Sequence, residues 1–130
     1  MIRNIVQNAV VMLLILAFCA VNTFAQGKLY FIKDGKALCK EKGSTYQVGS
    51  KSVSAKAIDI ADGKWGSEEA IAIVYEDGKC NLTRGSTTGE LPCTFGKKVV
   101  SVKFYEGGVV FKTREGKSYH SKSGGCSEVR

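Results

Sequence analysis

Histidine, tryptophan and proline each occur once in this chain, as His120, Trp65 and Pro92. A single imidazole provides no histidine pair for a metal, and no two cysteines stand at the close spacing of a zinc knuckle, so neither a metal centre nor a cofactor is expected. A Ser-His-Asp relay would have to use that same imidazole, and no serine lies in a nucleophile elbow. No glycine-rich loop follows a strand and opens a helix, which removes the usual phosphate cradle. The longest apolar run, Ala9 to Val21, has 13 residues, against the roughly 20 that a membrane-spanning helix needs. These gaps favour a binder over an enzyme.

What is present begins with the N-terminus. Arg3, the apolar run and the small Thr23 and Ala25 before Gln26 have the three-part layout of a secretory signal peptide. We therefore read residues 1–25 as a cleaved leader and 26–130 as one small exported domain, extracellular or translocated into a host cell, with no membrane anchor left. Cys19 leaves with the leader. Cys39, Cys80, Cys93 and Cys126 remain, and an even number in an oxidising compartment predicts two disulfides in any of three connectivities. Bridges of this kind would contribute about 3–4 kcal/mol each to a domain whose core is thin.

Fifteen glycines punctuate short apolar runs. "KLYFIKDGKALCK" and "AIAIVYEDGKCNLTR" read as strand, Asp-Gly turn, strand. "VVSVKFYEGGVVFKTREGKSYHS" holds three strand-length runs, and Val100, Val102 and Phe104 alternate with Ser101 and Lys103 as in a half-buried strand. Asp34, Asp77 and Glu115 set in register suggest a repeat such as a propeller or trefoil. The likeness is confined to turn chemistry, so the turns read as scaffold. "GSTTGE" reads as a polar hairpin tip. Residues 52–62 decide the class: β-branched Ile58 and Ile60 favour a strand, whereas a cap at Ser50 or Ser52 would make a short helix. The expected fold is all-β, a small disulfide-stapled antiparallel sandwich or barrel. The alternative is an α+β fold with one helix on a sheet.

Charge is uneven along a chain of net charge +7. Residues 97–130 carry eight Lys or Arg against Glu106, Glu115 and Glu128. Lys97, Lys98, Lys103, Lys112, Arg114, Lys117 and Lys122 interleave with Phe104, Tyr105, Phe111 and Tyr119, a composition suited to gripping anions. Alternation sends Phe104 and Phe111 to the core and leaves Tyr105 and Tyr119 exposed. Trp65 either plugs one end of the core or marks a recognition site. We take Lys97, Lys98, Lys112, Arg114, Tyr105, Tyr119 and Trp65 as binding candidates. The partner expected is a host or extracellular protein, with anionic glycan or nucleic acid as alternatives, and the chain is expected to be a monomer. "NLT" makes Asn81 a glycan acceptor if the producer is a eukaryote.

Two resemblances add to this. "VYEDGKCNLTRG", preceded by Cys39, resembles the strand-turn-Cys-strand segment of the MAX-type fungal effectors, over residues 39 to about 85. That resemblance implies a two-sheet sandwich, a Cys39–Cys80 bridge and a non-enzymatic role as an effector that binds host proteins. "ELP" at 90–92, "GGVVFKTREGKSYH" at 107–120 and Cys126 are similar to the later strands of guanyl-specific fungal ribonucleases and ribonuclease-like effectors. It implies Glu90 as base, Arg114 on phosphate, His120 as acid and a Cys39–Cys126 bridge. The second histidine and the "YP" dipeptide of that family are absent. A lectin or hydrolase inhibitor is the remaining alternative.

Overall fold

The computed structural model describes residues 27–130; the expected leader, Cys19 included, lies outside the described residues. Eleven strands and no helix occur among the described residues. They are β1 (Lys28–Lys33), β2 (Lys36–Glu41), β3 (Ser44–Gln47), β4 (Ala57–Trp65), β5 (Glu68–Tyr75), β6 (Cys80–Arg84), β7 (Thr87–Glu90), β8 (Val99–Tyr105), β9 (Gly108–Thr113), β10 (Ser118–Lys122) and β11 (Gly125–Val129). The fold is an all-β sandwich, as the turn-rich pattern predicts. Residues 50–56 are irregular, and the disputed segment becomes strand from Ala57 onward. Thr87–Glu90 is an edge strand on β6 rather than a hairpin tip, because its ladder runs from Asn81↔Glu90 to Arg84↔Thr87.

The strands form three sheets, ordered β1-β2-β3, β4-β5-β6-β7 and β11-β10-β9-β8, and the pairings within the second and third are all antiparallel. The chain divides into a large unit, Tyr30–Cys39 with Tyr46–Arg130, and a second that includes Lys40–Thr45. Within the large unit β5 is buried on both faces, which explains its unbroken apolar sequence. Ile71, Ile73 and Tyr75 join Ala37, Ala57, Tyr30 and Ile32 in one core. Ala70, Ala72 and Val74 join Trp65, Leu82, Val102, Val109 and Phe111 in the other. Trp65 is thus core and unavailable as a surface contact.

The three sheets repeat more than their turns. The Ala57 N–H donates to Gly35 O at 2.8 Å, and the Val99 N–H donates to Gly78 O at 3.0 Å. Each bond joins the first residue of one sheet to the Asp-Gly turn of the sheet before. The Glu76 N–H donates to Lys56 O and the Arg114 N–H to Lys98 O, both at 2.8 Å. Tyr75 and Thr113 likewise close their turns on Lys79 O and Lys117 O at 2.9 and 2.8 Å. Even the bulges correspond, at Ala57/Asp59 in β4 and Val99/Ser101 in β8. The turn glycines have positive φ, 76° at Gly35 and 91° at Gly78. A Cβ at either would strike the side chain of Lys56 or Lys98 respectively. The reading of the turns as isolated scaffold is therefore corrected: they mark an internal structural repeat whose signature lies in backbone hydrogen bonds.

Candidate functional site

Register decides which side chains of the last sheet share a face. Tyr119 is opposite Phe111 and Ser121 opposite Val109, so both point to the core side. Tyr119 stacks on Phe111 with ring centroids 5.3 Å apart, under the Lys97 ammonium at 5.0 Å. It is half-buried, which corrects the expectation of an exposed ring. The opposite face carries Ser101, Lys103 and Tyr105 on β8, Val110 and Lys112 on β9, Ser118, His120 and Lys122 on β10, and Ser127 and Val129 on β11. No carboxylate occupies an outward position on β8–β11.

This face occupies the position that β4–β7 presents, apolar, to its neighbour. Two residues after the turn glycine stand Ala37, Cys80 and Ser118, and four after it stand Cys39, Leu82 and His120. Counted from the first strand residue, Ala61 of β4 becomes Lys103 of β8. Counted back from the last strand residue, Ala72 and Val74 of β5 become Val110 and Lys112 of β9. Polar substitution of a stacking face is how a terminal repeat stays soluble. A wholly solvated cap, however, needs charge of neither particular sign, whereas here every outward charge is positive.

His120 is held on this surface. Its Nε2 lies 2.9 Å from Tyr105 O, so Nε2 carries the proton and donates, and the rings meet edge-on with centroids 5.7 Å apart. The imidazole thus reaches from β10 across β9 to the backbone of β8, and at Gly108 on β9 any side chain would run into Lys122 Cβ and Ser121 O.

The residues assigned to RNA cleavage are not brought together by any described contact. Glu90 accepts from Thr94 Oγ1 at 3.4 Å and lies near Cys80. Arg114 sits in the β9–β10 turn, anchored through its backbone to Lys98. Lys98 itself lies against the Gly78 turn. Asn81 is half-buried as the second residue of β6, paired with β5 on one side and β7 on the other.

All four described cysteines carry free thiols, so the two expected bridges are not formed. Cys80 belongs to the core between the second and third sheets. Cys39 follows Ala37 on the same face of β2 and touches the Tyr30 phenol, in the core on the other side of β4–β7. The Cys39–Cys80 pairing implied by resemblance is thus blocked by the middle sheet. Burial first, then Asp59 and Glu90, push the Cys80 thiol up to about 12.

Sequence reasoning singled out most of the basic residues but not their common face. It also missed Phe95, 87% exposed in the loop between β7 and β8. The signal was an aromatic between Thr94 and Gly96 in a stretch without strand alternation. An open cleft of about 300 Å³ near Asp34, Lys36, Lys51 and Tyr75 holds neither histidine nor cysteine. Among the described residues no cluster of His, Cys, Asp or Glu is arranged to hold a metal. Compared with known proteins, the chain matches no family model and no curated protein.

Proposed function

We propose that this protein is an exported, non-enzymatic binding protein of effector type, which engages an acidic protein surface outside the producing cell through the outward face of β8–β11. The observation that carries this reading is the set Lys103, Lys112, Lys122 and His120 on one face without a carboxylate among them. Such a one-signed face steers an oppositely charged partner and suppresses wrong ones.

A protein suits the face better than a nucleic acid does. Nucleic-acid platforms present several exposed aromatics for stacking, whereas this face presents one, Tyr105, with Trp65 buried and Tyr119 turned inward. Val110, in register with both Lys103 and His120, supplies an apolar patch within the face, and the exposed Val129 adds another at its β11 edge. Export rests on the layout of residues 1–25, which lie outside the described residues. The small β fold and the resemblance to secreted effectors are consistent with it.

The test compares the wild type with a Lys103→Glu, Lys112→Glu, Lys122→Glu variant of matched stability. Partners captured from host extract are then measured with purified component. Binding weakened tenfold or more by reversal, and weakened by salt, supports the proposal. Unchanged binding, or selective retention of RNA or heparin over protein, overturns it.

A further inference from the structure

The four thiols are not equivalent, and the repeat explains why. Cys39 and Cys80 are fully buried, on opposite sides of the β4–β7 sheet. Cys93 and Cys126 are not. Cys93 lies in the turn that leaves β7, in the left-handed region at φ 73°. Cys126 lies on β11 directly opposite Ser121. Ser121 Oγ donates to Pro92 O at 2.7 Å, which ties the third sheet to the residue before Cys93. Cys93 Sγ is 3.9 Å from Gly125 O, the carbonyl preceding Cys126, and the two thiols are within hydrogen-bonding reach of one another. Sequence places these cysteines far apart; the register of β10 with β11 brings them together.

We propose that Cys93 and Cys126 form the only disulfide among the described cysteines, while Cys39 and Cys80 remain thiols. The inference is independent of the partner proposed above. In the covalent step, the exposed Cys126 thiolate attacks one sulfur of glutathione disulfide and expels a glutathione thiolate. The Cys93 thiolate then attacks the Cys126 sulfur of that mixed disulfide and expels the second. Two electrons pass from the protein sulfurs to the oxidant, and the two protein thiol protons end on two glutathiones. Burial and the neighbouring Cys93 thiol raise Cys126 to about 11, with Lys97 pulling it the other way. The bridge therefore forms slowly at neutral pH and faster as pH rises.

The bridge has a structural purpose. All five residues of β11 are exposed, and β10 is its only strand partner among the described residues. A bond from Cys126 to the β7–β8 loop would pin this last strand and fix the loop bearing Phe95. Because β10 and β11 carry part of the basic face, the same bond stiffens it.

The full chain is equilibrated in a glutathione redox buffer, alkylated, digested with trypsin without reduction and analysed by mass spectrometry. The expected result is a linked Cys93–Cys126 peptide pair, with Cys39 and Cys80 alkylated only after unfolding. A bridge containing Cys39 or Cys80, or four modifiable thiols in the oxidised sample, overturns the proposal. In a second measurement, reductant lowers the wild-type melting midpoint but leaves Cys93→Ser unmoved. If that variant fails to fold, Cys126→Ser at the exposed edge serves instead. A wild-type midpoint insensitive to reductant counts against the bridge.

Discussion

The Asp59 carboxylate accepts a hydrogen bond from the Val102 N–H at 2.9 Å, joining β4 to β8 across 43 residues. Val102 lies on β8, an edge strand of its sheet, just after the bulge at Val99/Ser101. A partly buried donor of this kind must find another acceptor. Asp59→Ala is expected to destabilise the fold by about 1–3 kcal/mol, the cost of leaving such a group unsatisfied. Asp59→Asn, which keeps an acceptor oxygen, is expected to lose less. Urea denaturation checks the order; equal losses for both variants would remove the hydrogen bond as the cause.

Gly78 tests the repeat. Its φ of 91° is costly for any other residue, and a Cβ there would meet Lys98 at 2.9 Å from Cδ and 3.1 Å from Cα. Gly78→Ala should cost about 1–3 kcal/mol, as strain and overpacking usually do. Gly35→Ala, against Lys56 in the preceding sheet, should behave alike. Gly85→Ala is the control, because its φ is also positive but no atom lies within 4 Å of the added carbon. A loss at Gly85 as large as at Gly78 would assign the whole effect to backbone angle.

Alkaline stability follows from one buried acid, Cys80, and one half-buried acid, Tyr30. Burial, with Asp59 and Glu90 nearby, raises Cys80 from 9.0 to about 12, and burial with the adjacent Cys39 raises Tyr30 from 10.0 to about 12. Both are neutral below their unfolded values, so their contribution is complete at pH 8. The unfolded chain ionises first as pH rises, and stability is lost progressively between about pH 9 and 12. Cys80→Ala should flatten the lower part of that decline in denaturation curves recorded from pH 8 to 12.

RNA should survive the protein intact. His120 Nε2 is committed to Tyr105 O, and no described contact joins it to Glu90 or Arg114. Incubation with a guanosine-rich oligonucleotide should yield no fragments, and His120→Ala should change nothing. Cleavage abolished by His120→Ala would restore the ribonuclease reading.

Strand identity was legible where β-branched residues clustered, as at Ile58 and Ile60, and where alternation was clean, as from Val102 to Phe104. The face of Tyr119 was not, because it depends on pairing with Phe111 across a turn whose length sets the register. The Thr87–Glu90 strand was hidden for a similar reason: all four residues are exposed, and only the β6 ladder makes them a strand. The repeat escaped because its conserved geometry lies in main-chain donors and acceptors, which leave no trace in side-chain identity beyond the turn glycine. Proximity of Cys93 to Cys126 likewise emerges only once β11 has folded back on β10.

Charge at the C-terminal sheet also acts as a stop signal. Lys103, Lys112 and His120 stand where the middle sheet has Ala61, Val74 and Leu82. Restoring those three apolar residues would rebuild an adhesive plane that wants a fourth layer, and two molecules would supply it for each other. Light scattering should then report self-association. The lysines proposed above to engage a foreign partner are, on this view, the same ones that keep the molecule from becoming its own.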